Sequence, residues 1–182
     1  MRPLKFVAVL VCCLLSSVAA GQGGDDPVAA RVFGPQWQAM ARRAGIIFSG
    51  TVLKVERSRG VDTSVATVQM TFRVDRAVAG TQAGEKLVIR EWMGAWSMHP
   101  PIRRGQRLLL LLYPPSRAGL TSPVRGSLGL VPLDGAGQHV SVVFQRIRSA
   151  ITATPQASTV DVSTRTISAV QLELALRNAR EQ

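Results

Sequence analysis

Between Gly45 and Tyr113 the apolar positions form four successive strand signals, the first three with the two-residue period of a half-buried strand. The first run, Ile46 to Arg57, sets Ile47, Leu53 and Val55 against polar neighbours. Gly50 interrupts its middle, where the missing Cβ permits a bulge or sharp curvature. The second run alternates most cleanly: Ala66, Val68, Met70, Phe72 and Val74 point one way and Thr67, Gln69, Thr71, Arg73 and Asp75 the other. That is the pattern of an antiparallel strand with one dry and one wet face. In the third run Leu87 and Ile89 alternate with Lys86 and Arg90, and the run ends at Trp92. The fourth, Gln106 to Tyr113, carries the unbroken leucines Leu108 to Leu112 and predicts burial on both faces. Ser127 to Leu133 predicts a fifth strand, weakened by Gly129 and Pro132. His139 to Arg148 fits either a sixth, peripheral strand or the start of a helix.

Helical periods flank the strands. Pro35 to Ala44 predicts a short helix with proline in its first turn and Gly45 as its stop, and Trp37, Met40 and Ala41 share one face. Thr166 to Arg180 predicts a second helix, with Ile167, Val170 and Leu174 along one side and Arg177 and Arg180 near the negative end of its dipole. Residues 21–34 are Gly-rich at their start and aperiodic, which predicts a flexible leader; residues 149–161 are a Ser/Thr/Ala/Pro linker before a C-terminal helical segment, residues 162–182. The expected fold is mainly β: a small closed five-stranded barrel of the OB-fold kind over residues 35–148, with a short N-terminal helix and a C-terminal helix.

The amino terminus changes the picture. Arg2 and Lys5 precede an apolar run from Phe6 to Leu15, and small residues then lead to Val18-Ala19-Ala20, which predicts a cleaved signal peptide over residues 1–20. The run is short against a hydrocarbon layer of roughly 30 Å. Cys12 and Cys13 both lie inside it, so the exported chain would have no disulfide, thiolate nucleophile or cysteine metal site. Export without disulfides points to a bacterial secreted or periplasmic protein. Arg2 and Lys5 leave with the signal, so 20 cations face 11 acids and the remainder carries a net charge of +9. The cations are nearly all arginines and are scattered along the chain. A polyanion footprint needs several of them on one face.

The segment Ala44-Gly45-Ile46-Ile47-Phe48-Ser49-Gly50-Thr51-Val52 resembles the opening strand of the netrin-like domain family, which includes the tissue inhibitors of metalloproteinases. Val74 to Gly80 is similar to that family's ending of the second strand, Arg104 to Leu108 to its fourth, and Tyr113 to Gly126 to a loop of bacterial secreted members. The resemblance spans roughly Pro35 to Leu133 and implies an OB-fold. The inhibitors act through an amino-terminal cysteine on the protease zinc, and this chain has no cysteine after Cys13, so the resemblance implies the fold and not that mechanism.

Catalytic motifs are scarce. His99 and His139 are the two imidazoles, in different loops, and no H-E-x-x-H, G-x-S-x-G or phosphate-binding glycine loop occurs. A metal site would need His99 and His139 to converge with acids such as Glu91 and Asp134. A nucleophile would be Ser122 with His99 as base, although Ser122-Pro123 reads more simply as a turn. The densest polar-aromatic cluster is Trp92, Trp96, His99, Arg103 and Arg104, the expected ligand-binding residues, with core capping as their competing use. These observations point to a non-catalytic binding module with no cofactor and an extracytoplasmic protein as partner. A polyanion held by the arginines is the alternative, and a hydrolase-like enzyme the third.

Overall fold

A computed structural model describes residues 26–58, 65–147 and 160–182. The expected signal peptide and most of the expected linker lie outside them. The chain runs α1 (Pro27–Phe33), α2 (Trp37–Arg43), β1 (Ile46–Ser58), β2 (Thr67–Ala79), β3 (Lys86–Trp92), α3 (Met93–Trp96), β4 (Arg107–Leu112), a 3-10 turn (Gly126–Gly129), β5 (Leu130–Pro132), β6 (His139–Ile147), β7 (Val160–Ser168) and α4 (Ala169–Glu181). Five strands form one antiparallel sheet in the order β3-β2-β1-β4-β5, and β6 and β7 form a separate antiparallel pair.

The leucine run explains the layering. Leu108, Leu110 and Leu112 face one core, with Phe48, Val52, Val68, Met70, Phe72, Val74 and Ile89. Leu109 and Leu111 face the other, with Ile47 and the inner sides of α1, α2 and α4. A strand with consecutive leucines is dry on both faces because each parity of side chain has its own core. Trp37, Met40 and Ala41 are buried there, as the α2 face requires. β1 also reaches both cores by alternation, Ile47 on one face and Phe48 on the other, and bends where its pairing is bulged. Its register against β2 slips between Ser49 and Gly50, and a Cβ on Gly50 would stand 2.6 Å from the Arg73 carbonyl oxygen.

Three expectations are corrected. Among the described residues no sheet closes into a barrel. β5 has only three residues and ends in Pro132, which has no N–H for a ladder, so it cannot reach across to β3. The β4–β5 connection partly fills the opening instead: Thr121 N donates to Arg90 O of β3 (2.9 Å), while Tyr113 N donates to Ser122 O (3.0 Å) and Val124 N to Leu111 O (2.7 Å). Second, the predicted leader contains α1. The Asp26 carboxylate accepts from Val28 N and Ala29 N, Pro27 opens the helix, and Gly34 at φ 83° ends it. Third, the C-terminal helix begins at Ala169, because the stretch before it pairs with β6 as β7, with Val140 opposite Ile167. Its buried stripe is Leu172, Ala175, Leu176 and Ala179, whereas Val170 and Leu174 are exposed.

Helix α4 packs on its own chain. Arg180 donates to the carbonyls of Ala41 and Ala44 at the end of α2, and Arg42 donates to Ala179 O, so each helix's terminal carbonyls are met by an arginine of the other. Arg76 of β2 grips Glu173 through Nε, at 3.0 and 2.8 Å, and donates through Nη2 to Gly137 O at 2.9 Å. No helix among the described residues is long and apolar enough to cross a membrane.

Candidate functional site

Residue alternation along β3 sends Leu87 and Ile89 inward, and Glu91 continues the same phase. Its carboxylate therefore enters the dry side of the sheet, opposite Val68. Strand β3 then turns directly into the short helix α3, which returns Trp96 and His99 over the same core. Glu91 and His99 meet there: Oε2 lies 3.0 Å from Nε2, and both side chains are 1% exposed. The other ring nitrogen, Nδ1, lies 3.1 Å from Pro100 O, an acceptor only, so Nδ1 carries a hydrogen. Trp96 stacks edge-on against the imidazole at 5.0 Å between centroids. The pair then shares one proton along Oε2–Nε2, and its net charge is zero at whichever end that proton rests. Burial pushes the Glu91 carboxyl above its ordinary value, and the contact with His99 opposes that rise. Its second oxygen, Oε1, is buried without a hydrogen-bond partner.

Above this pair lies a cleft of about 440 Å³, with Glu91 and His99 at its base, Ala95, Met98, Tyr113 and Pro123 as apolar walls and Ser122 and Arg125 at its side. A second hollow of about 340 Å³ adjoins it across Ala95, Tyr113 and Ser122, and is bounded by Trp92, Pro114 and Leu120. Trp92 and Met98 stand at the rim, 54% and 82% exposed, and the Trp92 ring lies against the backbone of Gly94. Arg125 holds a left-handed backbone at φ 57°, the one such non-glycine among the described residues, and its side chain donates to Gln36. Strain of this kind persists where surrounding structure imposes it, and it collects at binding sites.

The structure brings Trp96 against His99 and leaves Trp92 on the adjoining hollow. Trp92 is an exposed rim residue, while Trp96 and His99 are buried. Arg103 and Arg104 are exposed on the turn into β4, where the Arg103 amide donates to Gln106 Oε1, and neither lines the two hollows. Sequence reasoning placed Glu91 only as a conditional metal ligand; the signal it missed was the inward phase shared with Leu87 and Ile89. Ser122 lies beside the cleft, but both nitrogens of His99 are engaged elsewhere, so the imidazole has no free lone pair for the hydroxyl.

The four residues weighed as a metal site form two separate pairs. His139 Nδ1 lies 3.0 Å from Asp134 Oδ2 in the turn before β6, apart from Glu91–His99. Among the described residues no three His, Cys, Asp or Glu side chains gather in a group able to hold a metal ion. The Asp134 carboxyl is lowered to about 2, chiefly because it accepts the Gln138 amide, with His139 adding to the effect. No protein-family model matches the chain, nor does any curated protein or solved structure, so the reading rests on the residues themselves.

Proposed function

We propose that the chain is an exported, non-catalytic binding module that holds a protein partner at the paired hollows beside α3. The observation that carries this reading is the pair of exposed apolar side chains on the two adjoining hollows, Met98 on the mostly apolar cleft and Trp92 on its neighbour. Aromatic residues and methionine are the side chains enriched at protein interfaces. The engaged imidazole of His99 supports a binding role over a hydrolytic one. The signal-like first twenty residues support export to the periplasm or beyond, and the strand order, curved β1 and Thr121 bridge support an OB-like, netrin-like ancestry.

A polyanion is the second reading, favoured by the strand register. Lys54, Arg73, Lys86 and Arg90 share the wet face of β1–β3, all exposed. Glu56 lies 2.7 Å from Lys54 and Asp75 lies 3.1 Å from Arg73, which leaves Lys86 and Arg90 as the stronger half of that patch. To separate the readings, the chain from residue 21 is immobilised, exposed to extracytoplasmic extract and washed at low and then high salt. A protein kept at high salt by the wild type and lost by Trp92→Ala/Met98→Ala supports the module. Nucleic acid or acidic glycan released by salt moves the conclusion to the cationic face.

A further inference from the structure

We propose that the base of the cleft recognises a peptide amide: an apolar segment of the partner inserts there and donates an N–H to Oε1 of Glu91. The inference rests on the binding-module reading and names what that site selects. Its starting point is an imbalance. Oε2 is satisfied by His99, Oε1 is buried with no donor, and a buried acceptor left unpaired costs free energy until one arrives. Whichever of Glu91 and His99 holds the shared proton, it lies between Oε2 and Nε2, so Oε1 remains an acceptor. The ligand must supply the hydrogen.

Charge narrows the ligand further. The Glu91–His99 pair is neutral overall and the nearest rim cation is Arg125, so an inserted ammonium would meet no net negative charge while losing its hydration. A neutral N–H has no such penalty. The walls of Ala95, Met98, Tyr113 and Pro123 suit an apolar side chain beside that amide. Because Glu91 is only 1% exposed, contact requires full insertion and a small outward shift of the lining, in which Met98 is 82% exposed. A flexible thioether can make that shift in ways a packed aromatic cannot.

The probes are N-acetylleucine N-methylamide and its fully N-methylated counterpart, which keeps the apolar body and loses both N–H groups. Binding to the protein is read from the Trp96 indole and His99 ring resonances. The expected result is a preference of roughly tenfold for the N–H probe. Glu91→Gln should keep that preference, since its amide can donate to His99 and still offer Oε1, whereas Glu91→Met should abolish it. Equal affinities for both probes, no shift at either ring, or an undiminished preference in Glu91→Met overturns the proposal. If Glu91→Met fails to fold, the probe pair on wild type and Glu91→Gln decides. Partner capture that needs Trp92 and Met98 yet is unchanged in a folded Glu91→Met overturns this inference alone. Absence of any captured protein overturns the module reading, and the probe comparison still decides the cleft.

Discussion

The Arg76–Glu173 pair is the sharpest place to test whether α4 belongs to this fold. Glu173 comes from α4, the C-terminal helix. Here it is 9% exposed and accepts both of its oxygens' contacts from Arg76 Nε, while Arg76 is 34% exposed. Replacing Glu173 with Ala strands the guanidinium, which keeps the Gly137 carbonyl as its hydrogen-bond partner and the weaker attraction of Asp75. A fully buried pair would lose roughly 3–5 kcal/mol on removal of one member, and an exposed pair about 0–1 kcal/mol. With one partner buried and the other a third exposed, water recovers part of the loss, and the expected cost is about 2 kcal/mol. For a domain of this size that corresponds to a drop of roughly 4–8 °C in Tm.

The assay is urea unfolding followed by tryptophan fluorescence, in which Trp37 reports on the helix layer against which α4 packs. The midpoint should fall with little change in slope, because the same surface is exposed on unfolding. Arg76→Met/Glu173→Leu should recover most of the loss, since packed apolar side chains replace a desolvated pair at little or no cost. The midpoint should also be independent of protein concentration, as an intramolecular contact demands. Glu173→Ala within 0.5 kcal/mol of wild type, or a double variant showing the summed losses of its parts, would mean that Arg76 and Glu173 do not hold α4 to the sheet.

Three further expectations follow from the same structure. Gly50→Ala places a Cβ 2.6 Å from the Arg73 carbonyl and 3.0 Å from the Phe48 ring, so it should cost about 1–3 kcal/mol in chemical denaturation; a neutral result would mean the β1 bend is not sterically enforced. Leu109→Ala and Leu110→Ala should each cost about 2–5 kcal/mol although the residues are adjacent, because each empties a different core; a silent member of the pair contradicts the two-core arrangement. Asp134 should titrate near 2 rather than 3.8 by carboxyl carbon NMR, so its contribution to stability is present above 3.8 and fades as pH falls toward 2; a midpoint at the ordinary value refutes the turn geometry.

The fold was most legible where one face of a strand is uniformly dry. Val68, Met70, Phe72 and Val74 are all buried as the alternation of β2 requires, and the unbroken Leu108–Leu112 run lies in two cores. Closure was not legible, because it depends on how far β5 extends, and composition between Ser127 and Leu133 does not reveal that the chain spends the first three of those residues on a 3-10 turn. The α4 stripe was misread for a related reason. Ile167 looks like the first apolar position of a helix, but its partner across β6 is Val140, so tertiary pairing delays the helix and rotates the buried face from Val170 and Leu174 to Leu172 and Leu176.

The candidate site turns on a single phase argument. A carboxylate that continues an inward stripe must be protonated, paired or displaced outward, because an ionised group alone on that face would cost several kcal/mol. Glu91 is such a residue, and an imidazole eight positions later, carried back over the core by the α3 turn, satisfies it. The same logic explains why a four-residue metal centre does not assemble. Each histidine is committed to the acid nearest it along the chain, His99 to Glu91 and His139 to Asp134, and sharing either would leave the other carboxylate unpaired. Arginines 103 and 104 fell into the sequence cluster by proximity in the chain, yet the turn into β4 carries them into solvent. Neighbourhood in sequence gathered Trp92, Trp96 and His99 because α3 is short enough to keep them together. It gave no warning about the neighbouring carboxylate, whose second oxygen is buried without a hydrogen-bond partner.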